Sequence, residues 1–285
     1  MYSWLWMVII SGILLGFWDI TKKQAFKKNS VVSVLAFYSI FCFIFVSFEF
    51  SNAVNLSGDK ILVIFVKTFI IFLSWVLGFT AIKQLPISIV TPFDTVNPLF
   101  SIILGILILG ESLGLLQGIG IVIMLVAYYF IGKVGSKEIT NVFRNKYFYF
   151  MVVSALLSAV SATIDKIALR SINPGQMQFW FCLFISIFNV ASLLYTKWKS
   201  EEKIPIRFDY NIPLMSLLLT ISDRIYFTAV NIPSSQISVI MPLRKISIFI
   251  SVIIGGLIFK EQNLRQKFWC ICLLIVGIGL VFIAK

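Results

Sequence analysis

Several charged residues of this sequence sit where charge is costly. Lys67, Lys166, Arg224, Arg244 and Lys245 fall within long apolar runs, as do the carboxylates Asp94, Asp165 and Asp223. An ionisable group inside a membrane-spanning segment costs about 2.5–3.5 kcal/mol even on the lenient insertion scale, so it marks a partner, a cavity or a pathway. Asp94, Asn97, Ser101 and Gly105 recur at helical spacing and share one face, as do Arg244, Ser247, Ser251 and Gly255. Each stripe is polar, then small, while the rest of its run is Ile, Leu, Val and Phe. That pattern is expected of a helix with one wall on a cavity. Asp223 and Arg224 are adjacent and point about 100° apart on a helix. Asp223 is expected to pair with Arg244 or Lys245, and Arg224 with Asp94. Tyr226 and Trp75 can add hydrogen bonds or an aromatic wall.

A second group lies nearer the ends of the runs. Asp19 with Lys22 and Lys23, and Asp165 with Lys166, are expected to snorkel toward the interface and to serve a gate. Glu111 and Glu261 follow helix ends and are expected to organise tight turns. Pro92, Pro98 and Pro242 free carbonyls one turn back, because proline donates no hydrogen bond. Histidine is absent, so imidazole catalysis and imidazole metal sites are excluded. Cys42, Cys182, Cys270 and Cys272 all lie in apolar runs and read as small packed hydrophobes. No metal site and no cofactor is expected.

These residues need elements to position them, and composition dictates which. Of 285 residues, 59% are hydrophobic and 13% charged. A soluble chain carries about 25% charged residues, so the apolar surplus belongs in lipid. Apolar runs at about 3–24, 31–50, 61–82, 88–109, 113–132, 147–169, 176–196, 211–231, 236–258 and 266–284 predict ten membrane helices. The first run lacks a basic leader and a cleavage site, and reads as a retained helix.

The net charge of +12 follows from the loops. With loops numbered alternately, sixteen basic residues fall on one side and three on the other. Cytoplasmic loops are enriched in Lys and Arg, so the count places both termini outside the cytoplasm, in a plasma-membrane protein. Nucleic acid is not an expected partner.

An internal repeat sets the architecture. With an offset of 150 residues, Ser88–Glu111 aligns with Ser238–Glu261 and eight of 24 positions are identical, among them Pro92/Pro242, Ser101/Ser251 and Glu111/Glu261. With an offset of 143, Ser11, Leu14, Lys23 and Ala25 fall on Ser154, Leu157, Lys166 and Ala168, and Gly12 and Gly16 fall on Ala155 and Ala159. Five helices is an odd number, so the second half enters from the opposite side. The expectation is an all-α membrane protein with ten transmembrane helices as two inverted five-helix repeats. Its halves are 1–133 and 147–285, joined by a basic loop at 134–146.

A fourth helix with an early proline and a Gly110-Glu111 end, then Ser112-Leu-Gly-Leu-Leu-Gln-Gly-Ile-Gly120 opening the fifth, resembles the drug/metabolite transporter superfamily, specifically its EamA-type members. The resemblance covers the whole chain and implies a secondary transporter. Many relatives of this type keep both termini in the cytoplasm, which the charge count here reverses. The pair Arg244-Lys245 resembles a basic pair of organophosphate-carrying members.

No G-x-x-x-x-G-K-[ST] loop is present, so a gradient of ion or counter-substrate must drive transport. Three cations against two carboxylates near the middle of the runs favour an anion or a zwitterion: an amino acid, organic acid or organophosphate. The alternatives are a lipid-linked sugar flippase subunit and an exporter of cationic or aromatic compounds. A membrane enzyme lacks a nucleophile–base or metal constellation. The expected partners are a small-molecule substrate, a coupling ion or counter-substrate, and the lipid bilayer.

Overall fold

A computed structural model describes residues 3–84, 96–133, 145–199, 209–251, 254 and 264–284. Among them are ten helices of eight or more residues and no strand. They are α1 (Ser3–Lys28), α2 (Val31–Val46), α3 (Gly58–Gln84), α4 (Val96–Leu109), α5 (Leu115–Lys133), α6 (Lys146–Ala168), α7 (Pro174–Lys199), α8 (Asn211–Asn231), α9 (Ile237–Arg244) and α10 (Leu264–Ile283). Five of the described helices (α1, α2 with its extension, α3, α6 and α7) are by themselves long and apolar enough to cross a membrane. Apolar side chains line the outside, with Leu107 76% and Leu115 82% exposed, as expected where the solvent is hydrocarbon.

Local chemistry sets the ends. Ser30 caps α2 by accepting from Ser33 N, and Asn145 caps α6 by accepting from Tyr147 N. Gly110 ends α4 in the left-handed region, φ 66°. Two expected spans differ in form. The run 31–50 stops being α-helical at Val46 and continues as a 3-10 turn, Ser47–Glu49, and a helical turn, Phe50–Ala53. The run 236–258 breaks after Arg244, where the amides of Lys245 and Ile246 bond the carbonyls of Pro242 and Leu243. The chain resumes in a turn, Ser247–Ile250. Here α1 comes closest: a Cβ on Gly12 would lie 2.7 Å from Arg244 O, and one on Gly16 2.9 Å from Ser247 O.

Helix pairing shows the repeat. α1 packs on α8, α3 on α6, α2 on α7 and α5 on α10. Exchange of the halves turns the first pair into the second and returns the other two to themselves. α4 on α6 and α9 on α1 are likewise mates. Where α1 crosses α8, Ser222 Oγ donates to Ser11 O at 2.9 Å. Where α6 crosses α3, Ser74 and Ser154 each donate to the other's carbonyl at 2.7 Å. Ser11 and Ser154 are equivalent under the 143-residue offset. The chain is an all-α membrane fold of ten helices in two inverted five-helix repeats.

Candidate functional site

Arg244, the last residue of α9, turns inward. Its Nη2 donates to Asp223 Oδ1 at 2.5 Å and its Nε to Ser11 Oγ at 3.1 Å. The guanidinium carbon stands 4.1 Å over the Tyr226 ring, a cation–π arrangement. The side chains of Arg244 and Asp223 are 15% and 16% exposed. Tyr226 is buried, and its hydroxyl faces Asp165 Oδ2 at 3.5 Å. Asp165 Oδ1 in turn lies 2.8 Å from Lys67 Nζ, with both side chains almost wholly buried, at 6% and 3% exposed. Lys67 Nζ also sits 4.0 Å from the Phe181 ring centre. A continuous polar chain therefore runs from α3 through α6 and α8 to α9.

Beside this chain is a narrow cavity of about 10 Å³, room for about one water, lined by Tyr38, Ser39 and Cys42 of α2, Gln178, Phe181, Cys182 and Ile185 of α7, and Leu219, Thr220 and Asp223 of α8. Thr220 is nine-tenths buried, and its Oγ1 has no hydrogen-bond partner among the described residues. A larger recess of about 120 Å³ follows between α2, α3 and α7, lined among others by Trp75, Val76 and Asn189. The Tyr38 and Trp75 rings, 6.2 Å apart, stand between the two spaces.

Of the residues singled out in the sequence, Asp223, Tyr226 and Arg244 come together as described. Among the described residues Arg224 pairs with one the sequence reading did not single out. Its side chain points away from that of Asp223, as adjacency on a helix requires, and its Nη1 donates to Glu49 Oε1 at 2.6 Å. Glu49 lies at the apparent end of an apolar run and carried no sequence signal. Asp94 lies outside the described residues. Asn97 is half-buried with Oδ1 unpartnered among the described residues. Ser101 is buried and donates to Asn97 O at 3.1 Å.

Two serines of the second stripe lie against α1. Ser247 is buried and its carbonyl abuts Gly16. Ser251 Oγ lies 3.4 Å from both Gly16 O and Asp19 Oδ2. Lys245 ends α9 with its amide bonded back to Leu243 and Pro242.

The residues expected at a gate divide. Asp19 pairs with Lys22 at 2.6 Å, and Lys23 is exposed on the same helix. Asp165 and Lys166 do not snorkel, because both are buried. Lys166 Nζ donates to Val230 O and Ile232 O at 2.9 Å and to Ser235 Oγ at 2.7 Å, which caps the C-terminal end of α8. Glu111 does organise a turn, and does so across the halves. Its carboxylate accepts from Ile237 N at 2.6 Å, Ser238 N at 2.8 Å and Ser238 Oγ at 2.6 Å. It thereby caps α9, whose own N-cap, Gln236, offers no side-chain bond.

Known proteins are similar to this chain in sequence and in fold. An uncharacterized transporter of Methanothermobacter thermautotrophicus is 27% identical over 184 residues, 58% of this chain and 53% of its own. An uncharacterized transporter of Archaeoglobus fulgidus is 26% identical over 185 residues, 65% of this chain and 62% of its own. The chain thus spans between half and two thirds of the length of these relatives. A crystal structure with 11% identity superposes with a TM-score of 0.74 over 99% of this chain and 96% of that one, a likeness of fold. A sequence model of the EamA-like transporter family matches residues 2–133 and again 145–283. With a match in each repeat, the chain belongs to the EamA-like transporter family.

Proposed function

We propose that this protein is a secondary active transporter that carries a small polar metabolite by alternating access of its two repeats, 1–133 and 147–285. The observation that carries the reading is the Arg244–Asp223 pair beside a narrow cavity between α2, α7 and α8, which a ligand enters only as the repeats part. A buried ion pair contributes little net stability, and its position at the wall of a space with an unpartnered hydroxyl suits a binding role. The cavity wall carries the carboxylate of Asp223 and no cation, while Arg244 balances that charge from behind. A near-neutral site favours a zwitterion over a bare anion. The zwitterion's ammonium group takes the second oxygen of Asp223, with Thr220 and Gln178 as further polar contacts.

The inward course of Arg244 supports this reading over a lipid-linked sugar flippase, which needs a basic groove open to lipid. The loop charge bias supports a plasma-membrane orientation with both termini outside the cytoplasm.

Uptake into proteoliposomes, with a panel of zwitterions, organic anions and organic cations, each with and without a pH gradient, tests the function. Saturable uptake of one zwitterion is the expected result. Uptake confined to organic cations, or to none of the panel, would overturn it. A cytoplasm-only reporter fused at the C-terminus should stay dark, and a bright signal would reverse the orientation.

A further inference from the structure

The cavity has two ends, and they are built differently. Along α2, the recess touches Val31, Val32 and Leu35, the cavity touches Tyr38, Ser39 and Cys42, and the chain then turns at Ser47–Glu49. Along α7 the order is reversed, with Gln178 through Ile185 on the cavity and Asn189 and Ser192 on the recess. Beyond the cavity, on the side away from the recess, three elements meet at one guanidinium. Arg224 of α8 donates through Nη1 to Glu49 Oε1 and through Nε to Gln178 Oε1, both at 2.6 Å. Gln178 Nε2 donates to Thr220 O at 2.6 Å. The first turn of α7 lies close under Glu49: a Cβ on Gly175 would stand 2.7 Å from its carboxylate. Gln176 and Trp180 donate to the carbonyls of Asn52 and Ala53. Arg224 is 30% exposed and Glu49 12%, so this cluster meets the outside on one face and the cavity on the other.

We propose that Glu49, Arg224 and Gln178 form the gate that closes the cavity on the side of the α2–α3, α6–α7 and α8–α9 connections. This rests on the transport reading above and adds the residues that hold one side shut. Glu49 belongs to the first repeat, and Arg224 and Gln178 to the second, so motion of the repeats against each other parts the Glu49–Arg224 pair. Gln178 is the link to the ligand. The same amide lines the cavity and holds the guanidinium, so a ligand that takes its oxygen loosens Arg224. The pair opens to the outside through Arg224, which lets solvent screen it on that side, and screened pairs contribute modestly. A closure that opens and shuts needs a modest pair.

The native thiols Cys42 and Cys182 line the cavity and report on the gate. The test uses the full chain with Cys270→Ala and Cys272→Ala in right-side-out and inside-out vesicles. A membrane-impermeant methanethiosulfonate is added outside each. From the gate face, the background protein should react slowly. Glu49→Gln and Arg224→Gln should each raise the rate about tenfold or more, while reaction from the opposite face stays unchanged. Glu49→Asp, which keeps the charge, should stay near the background rate. Unchanged labelling in both neutral variants, or fast labelling of the background from the gate face, would overturn the gate. The measurement needs no substrate, so its failure leaves the transport reading to stand or fall on uptake alone.

Discussion

Ser11 and Ser222 touch where α1 crosses α8, hydroxyl to hydroxyl at 2.9 Å, and both reach the Arg244 guanidinium, at 3.1 Å and 3.4 Å. One crossing therefore holds two helices of opposite repeats together and orients the only arginine of α9. Both serines are fully buried. A branched apolar side chain there has no room, and overpacking costs about 1–3 kcal/mol. Ser222→Val should lower the melting temperature in detergent and impair transport. Ser222→Ala should melt near the wild type, and equal losses in the two variants would count against tight packing as the cause.

Arg244→Lys keeps the charge and loses the planar fork. Lysine cannot bond Asp223 and Ser11 at once while stacking on Tyr226. A lost bond to a charged partner is worth about 1.5–3 kcal/mol, so uptake should fall about tenfold or more with the fold retained. Normal uptake by this variant would make Arg244 a structural residue.

Lys67 and Asp165 form the most deeply buried ion pair among the described residues. Removing one partner leaves a buried charge and costs about 3–5 kcal/mol. Lys67→Met and Asp165→Leu should each destabilise strongly, and the double variant should recover most of the loss. A double-mutant cycle on unfolding in detergent measures the coupling, and additive losses would show that the two charges do not depend on each other.

Glu111 gives α9 its cap. Glu111→Ala should cost about 1–2 kcal/mol, the range for a lost helix cap. Glu111→Gln should lose less, because its amide oxygen still accepts. Both are read from thermal unfolding, and a larger loss in the glutamine variant would contradict a capping role.

Lys166→Met separates cap from gate. The variant should unfold at lower temperature and carry substrate with an unchanged KM. A changed KM at unchanged stability would return Lys166 to the transport path.

The repeat was legible in the sequence because sparse polar and small residues recur at fixed offsets. Ser11 and Ser154 are equivalent by the 143-residue offset, and the structure places both at mated helix crossings. The Arg244–Asp223 pair was legible because a buried charge needs an opposite one. The partner of Arg224 was not, because Glu49 sits near the end of an apolar run, where no spacing or repeat marks it. Only the 3-10 turn that follows Val46 brings it over α7. Asp165 and Lys166 looked alike as neighbours near a span end. The turn of the helix sends one to Lys67 and the other to the carbonyl end of α8, a difference that adjacency in sequence does not reveal.

The serine crossings also fix an offset of 148 residues between α3 and α8, since Ser74 maps to Ser222. By that offset Arg224 maps to Val76, which lines the recess. The pseudo-two-fold thus sets a charged clasp at one mouth against an aliphatic side chain at the other. A transporter with equal mouths would spend equal time facing each way, whereas this chain has a pair to break at only one of these two positions. Every 1.4 kcal/mol in that difference is a tenfold change in occupancy. The expected result is a resting population skewed toward the recess side, so that carriage in the two directions meets unequal apparent affinities.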